Sequence, residues 1–285
     1  MYCYRHPGRE TRVSCSECGR PICTDCMVFA PVGIRCPEHA GKAQGAARVT
    51  KGVRRAAFEG TGALVTKTLI AINVIVFLVN LAQGSSLGQT SGSLFEKGAL
   101  FVSSPFYPGG LADCEWYRLI TAAFLHGNLL HLGFNMFVLW YVGAPVEQAI
   151  GRGRFLALYI VSGLAGSAGA IILDPHAVTV GASGAIFGIL GAALVLEAQR
   201  NYVLGGQAAG LIVVNLVLTF AIPNISIGGH VGGLLGGALS MLALSRFGRT
   251  HAIYGRPGLL GVLGLVAVGV ASVLVAYFRV QGLTA

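Results

Sequence analysis

Residues 181–198 read GASGAIFGILGAALVLEA, an apolar stretch headed by Gly181, Ser183 and Gly184. From Ser183 to Ala198 is 16 residues, a helix about 24 Å long at roughly 1.5 Å per residue. The hydrocarbon core of a bilayer is about 30 Å thick. A helix of this length that ends at one membrane interface begins several ångströms below the other. The preceding segment, DPHAVTVGAS, then enters the membrane as irregular backbone, which is tolerated only beside a cavity or buried in protein. Ser183 therefore stands recessed, at a positive helix N-terminus that favours an activated hydroxyl and an oxyanion.

The rest of the chain supplies the membrane context. Of 285 residues, 54% are hydrophobic and 11% charged, against about 25% charged in a soluble domain. Residues 1–59 hold 15 of the 31 charged residues, so the 226 that follow hold only 16. A soluble domain of that size could not cover its surface, and a simple soluble enzyme is excluded. Apolar stretches at about 64–83, 128–146, 154–173, 183–198, 207–223, 227–245 and 258–278 predict seven helices, most of them near the roughly 20 residues a span requires. Forty-two glycines, dense in these helices, let them approach closely.

Charge sets the orientation. With the N-terminus inside, 17 basic residues fall on the cytosolic side and 3 (Lys97, Arg118, Arg279) outside. The positive-inside rule then makes the N-terminus cytosolic and the C-terminus external. It also accounts for the net charge of +9 without nucleic acid as a partner. No signal peptide opens the chain, because residues 1–59 are polar and cysteine-rich. The segment at about 84–118 is too polar to span and long enough to be functional.

Polar groups inside spans count as functional hypotheses. The second span opens with His126-GNLL-His131-LGF-Asn135, the fourth with Gly181-A-Ser183-Gly184, the sixth with His230-VG-Gly233-LLG-Gly237. All three spans run from outside to inside, so these groups share one depth. A lone Ser or His in a glycine-rich helix is ordinarily packing, whereas three histidines, an Asn and a recessed Ser at one depth point to a site. Ser183 with His230 reads as a nucleophile and its general base. No carboxylate is near either in sequence, which implies a dyad. His131 and Asn135, four apart on one helix face, can serve a developing oxyanion with the Ser183 N–H, and His126 is grouped with them in support.

These residues resemble a rhomboid intramembrane serine protease over about residues 64–246. The matching motifs are W116-Y-R118, H126-x4-H131-x3-N135, G181-A-S183-G184 and H230-x2-G233-x3-G237, in the family's order and topology. The resemblance implies Ser183 as nucleophile, His230 as base, and His131 and Asn135 at the oxyanion hole. It also implies that Trp116 and Arg118 brace the first loop and that the fifth helix gates lateral substrate entry. The seventh helix places the chain with relatives that have an extra C-terminal span. Phe187 stands where relatives often carry a Tyr stacked on the catalytic His, and it keeps the stacking face.

Six of the seven cysteines fall within residues 3–36. Cys3/His6, Cys15/Cys18, Cys23/Cys26 and Cys36/His39 form four pairs, each with a two-residue gap. Zinc takes four such ligands in closed structural sites, so eight ligands imply two structural zinc ions. Disulfides are disfavoured in a reducing cytosol. Sequential pairing and an interleaved one (first pair with third, second with fourth) both remain open, the second suiting the short Cys18–Cys23 link. The pattern loosely resembles a B-box-type zinc finger, which implies a cytosolic protein partner.

The expectation is an all-α polytopic membrane protein: a zinc module at 1–41, a basic linker at 42–63, and a seven-helix domain at 64–285. That domain comprises a rhomboid-like core at 64–246 and an extra helix at 258–278. Its activity is expected to be cleavage of transmembrane protein substrates within the bilayer of the plasma membrane, without a catalytic cofactor. The rival is a non-catalytic transporter or substrate-binding pseudoprotease. A transporter would show internal repeats, and none is evident.

Overall fold

The computed structural model describes residues 1–29, 34–39, 62–246 and 258–284. The basic linker, apart from Gly62 and Ala63, lies outside them. The chain divides into two compact units, Met1–Phe58 and Glu59–Ala285.

The first unit is loop-rich. Two short antiparallel strands, β1 (Val28–Phe29) and β2 (Ile34–Arg35), and one 3-10 turn at Thr24–Cys26 are its named elements. Its core is small: Ile22 and five cysteines are buried. A core of that size needs a further cross-link to be stable.

The second unit is helical. Its elements are α1 (Leu64–Ala82), α2 (Ser93–Gly98), α3 (Arg118–Thr121), α4 (Leu129–Ile150), α5 (Arg152–Leu173), α6 (Ser183–Ala198), α7 (Ala208–Ala221), α8 (Ile227–Arg246) and α9 (Leu259–Thr284). Among the described residues five helices, α1, α4, α5, α8 and α9, are long and apolar enough to cross a membrane. The all-α polytopic membrane fold is therefore present, and the chain is an integral membrane protein.

Three spans differ in length from the expectation: α9 runs over Leu259–Thr284, 26 residues, against 258–278, and α7 and α4 differ for reasons in the sequence. Helix α7 has 14 residues, shorter than 207–223, because Pro223 follows and disfavours helix in the residue before it. Helix α4 continues to Ile150 through a π-turn at Leu139–Gly143. Pro145 has no N–H to donate one turn back, and a π-turn is a common way for a helix to absorb such a defect. Gly151 then turns the chain tightly into α5 with φ +87°, a conformation that favours glycine.

Helices α5, α6 and α8 form the centre. A methyl group on Gly233 would collide with the backbone of Gly184, and one on Gly237 with that of Gly188. Glycine is thus required along the α6–α8 seam by close approach. Leu139, Phe155, Leu158, Ile189, Leu190 and Leu196 fill the surrounding core. Helix α9 packs on the first loop: Ala276 and Val280 join Leu100, Val102 and Leu111 in one cluster, and the Tyr277 ring lies 5.7 Å from that of Trp116.

Candidate active site and candidate metal sites

The segment before α6 is irregular but satisfied. Leu100 and Thr179 exchange backbone hydrogen bonds of 3.0 and 2.8 Å, Val102 N donates to the Pro175 carbonyl at 2.9 Å, and Gly181 N donates to the Ala122 carbonyl at 2.9 Å. The first loop thus pairs with this segment and meets the demand that backbone at membrane depth find partners. Gly181 has φ +126°, and a Cβ there would lie 2.7 Å from His131 Nε2. Ser183 follows as the first residue of α6, with no side-chain cap on that helix. The first-turn N–H groups of α6 therefore have no intrahelical partner.

Asn128 caps α4, its Oδ1 accepting the His131 N–H at 2.8 Å. This holds His131 at the helix start, with the His126 ring 5.0 Å away, edge to face. Asn135 is buried and donates one Nδ2 hydrogen to the His131 carbonyl at 2.9 Å. On α8, the His230 ring stacks on Phe187 with centroids 4.1 Å apart and planes 18° apart. Phe187 lies one turn beyond Ser183 on α6, and residues four apart on a helix are neighbours. Ser183, His131 and Asn135, His230 and Phe187 are thereby gathered from three helices.

Arg118 is buried at 1% exposure. Its guanidinium donates to the carbonyls of Glu96 and Ala99 at 2.7 Å each and to Glu115 Oε2 at 2.7 Å. The Gly110 N–H and the Arg118 guanidinium hold the Glu115 carboxyl below its usual range. This network ties α2, α3 and the intervening loop together.

Two contacts carry no sequence signal of their own. Buried Glu147 on α4 accepts from Val65 N, Thr66 N and the Thr66 hydroxyl at 2.9, 2.7 and 2.7 Å, capping α1 from another helix. Thr219 on α7 lies with Oγ1 2.6 Å from His230 Nδ1. A lone Thr in an apolar helix reads as back-bonding to its own helix, which Thr219 also does.

In the N-terminal unit the eight ligand candidates gather into two groups of four: Cys3, His6, Cys23 and Cys26, and Cys15, Cys18, Cys36 and His39. The interleaved pairing is the one present. Within each group the donor atoms lie within 4.8 Å of one another. Distances between donor atoms run from 3.1 Å (Cys36 to His39 Nδ1) to 3.8 Å (Cys18 to Cys36). Zn–S bonds of about 2.3 Å and Zn–N bonds of about 2.0 Å at tetrahedral angles put ligand atoms about 3.5–3.8 Å apart, so the donor sets fit such an ion. Burial raises the Cys3 and Cys15 thiols, but neighbouring backbone N–H groups outweigh it and bring both down to about 6. That favours the thiolate, the form that ligates metal, at Cys3 and Cys15, whereas burial and the neighbouring cysteines push the Cys26 and Cys36 thiols up.

A rhomboid domain is matched over residues 113–247. The chain is 35% identical over 194 residues to the rhomboid protease GluP of Bacillus subtilis, covering 66% of this chain and 36% of that protein. It is 36% identical over 151 residues to the putative rhomboid protease YdcA of the same organism, covering 51% and 76%. It is 37% identical over 156 residues to RHOMBOID-like protein 5 of Arabidopsis thaliana, covering half of each. The match thus spans about a third of GluP and three quarters of YdcA. With the motif order, the helical fold and this coverage agreeing, the chain belongs to the rhomboid family.

Proposed function

We propose that this protein is an intramembrane serine endopeptidase that cleaves transmembrane protein substrates with a Ser183–His230 dyad. The observation that carries the reading is Phe187, which stacks on His230 while standing one helical turn from Ser183. Ser183 Oγ attacks the scissile carbonyl as His230 takes its proton. The developing oxyanion is met by the Ser183 N–H, by His131, and by the Asn135 Nδ2 hydrogen not used on the His131 carbonyl. Collapse expels the amine with the proton from His230, and water hydrolyses the acyl-enzyme by the same route.

The distribution of basic residues supports a cytosolic N-terminus, an external C-terminus and a site near the external face, in a multi-pass protein of the plasma membrane. The N-terminal unit holds two structural zinc ions on its interleaved ligand sets and serves as a cytosolic module that binds a protein partner.

The test is cleavage of a model transmembrane substrate together with labelling by a fluorophosphonate probe. Ser183→Ala and His230→Ala abolish turnover in folded protein. Asn135→Ala lowers kcat about 100–1,000-fold with little change in substrate binding, as loss of one oxyanion donor does. Normal turnover by Ser183→Ala sinks the reading in favour of a non-catalytic protein.

A further inference from the structure

We infer that Thr219 is a positioning residue for the general base: its hydroxyl accepts the Nδ1–H of His230 and holds the ring in the tautomer whose Nε2 is free to take the Ser183 proton. The inference rests on the Ser183–His230 reading and adds to it the residue that prepares the base.

The number of hydrogens available fixes the tautomer. Thr219 Oγ1 lies 2.7 Å from the Asn215 carbonyl oxygen and 2.6 Å from His230 Nδ1. A hydroxyl has a single hydrogen, and a carbonyl oxygen can only accept. With both bonds made, the hydroxyl hydrogen goes to Asn215 and the remaining bond needs its hydrogen from the ring. Nδ1 is then protonated, and in a neutral imidazole Nε2 carries the lone pair. Thr219 is 2% exposed, so water has little access to replace either bond.

Two contacts thereby fix the ring in different ways. Phe187 sets its plane by stacking at 4.1 Å. Thr219 sets which edge faces it and which nitrogen holds the proton. Among the described residues the ring has no hydrogen bond to a carboxylate. The place taken by an acid in a Ser-His-Asp triad is here filled by a neutral hydroxyl, which selects the tautomer without adding charge.

The hydroxyl comes from a helix with one inward face. Ala208, Ile212, Asn215 and Thr219 are the buried residues of α7, while Val213, Val214, Val217 and Phe220 are exposed. The state of the base therefore depends on α7 staying docked against α8.

The test uses the full chain in detergent. Thr219→Val keeps the side-chain shape without the hydroxyl, and Thr219→Ser keeps the hydroxyl. The expected result is a kcat about tenfold lower in the Val variant with KM unchanged, and recovery of most of it in the Ser variant. In parallel, 15N spectra of histidine-labelled wild type, with the His230 signal assigned by its loss in His230→Gln, should show protonated Nδ1 and unprotonated Nε2. Wild-type kcat in Thr219→Val overturns the inference, as does a protonated Nε2 in the wild-type resting protein. The spectrum decides the matter even if the Val variant does not fold. Turnover by Ser183→Ala would instead remove the dyad itself, so the two failures are distinguishable.

Discussion

Gly181 shows how much a single residue contributes to a site it does not enter chemically. Its φ of +126° belongs to a region costing an L-residue about 1–3 kcal/mol. A Cβ there would stand 2.7 and 2.8 Å from Nε2 and Cε1 of His131, so the ring must move if the residue is changed. Gly181→Ala is therefore expected to displace His131 and the α6 N-terminus together. A misplacement of about 1 Å in a catalytic constellation costs about 100-fold in rate. Probe labelling of Ser183 should fall by that order while the helical content stays unchanged; labelling at the wild-type rate would show that the loop yields elsewhere. The glycine was visible in the sequence as a flank of Ser183. Its positive φ and its contact with a histidine 50 positions earlier were not, because both arise from how the first loop pairs with residues 175–181.

At the scale of elements, helix α1 begins without a side-chain cap of its own and borrows one from α4. Glu147 is buried at 1% exposure and receives two backbone N–H groups and a hydroxyl from the first turn of α1. A carboxylate there also complements the helix dipole. Hydrogen bonds to charged groups contribute about 1.5–3 kcal/mol each. Glu147→Gln, which turns one acceptor toward those donors into a competing donor, should destabilise the protein by at least about 2 kcal/mol. Thr66→Val, which removes one of the three bonds, should cost less. Thermal unfolding in detergent, with hydrogen exchange in the first turn of α1, measures both, and equal stability of all three proteins would exclude the capping role. The element pattern was legible because apolar runs of span length are rare outside membranes. The motifs at the heads of the second, fourth and sixth spans were legible because ionisable groups in such runs are costly. Which helix Glu147 or Thr219 would meet was not legible. Periodicity reports which face of a helix is buried, and says nothing of what lies against it.

At the scale of the whole molecule, the chain joins two units stabilised by different physics. The membrane unit satisfies its backbone within helices and closes its seams with glycine, whereas the N-terminal unit has too small a core to fold on burial alone. The ligand spacing in the sequence revealed four pairs but left their partners open, since local spacing is the same for either pairing. The fold resolves it: Cys15 and Cys18 lie within the chain segment that the first ligand set closes. A metal bound to each set would constrain the loop that carries the other's ligands, and loss of either should loosen both. The isolated segment 1–42 is expected to bind two zinc ions per chain and to unfold in one transition when they are removed. Metal analysis finding one zinc, or none, would overturn the eight-ligand arrangement. None of the residues proposed for the dyad or its oxyanion donors lies in Met1–Phe58, so on the proposed function the peptidase chemistry is expected to proceed without the proposed zinc ions. A chain shortened to begin near Thr61 should cleave an artificial transmembrane substrate at the full-length rate, with no inhibition by chelators. Chelator inhibition of that shortened enzyme would show instead that a metal takes part in the membrane unit's own chemistry.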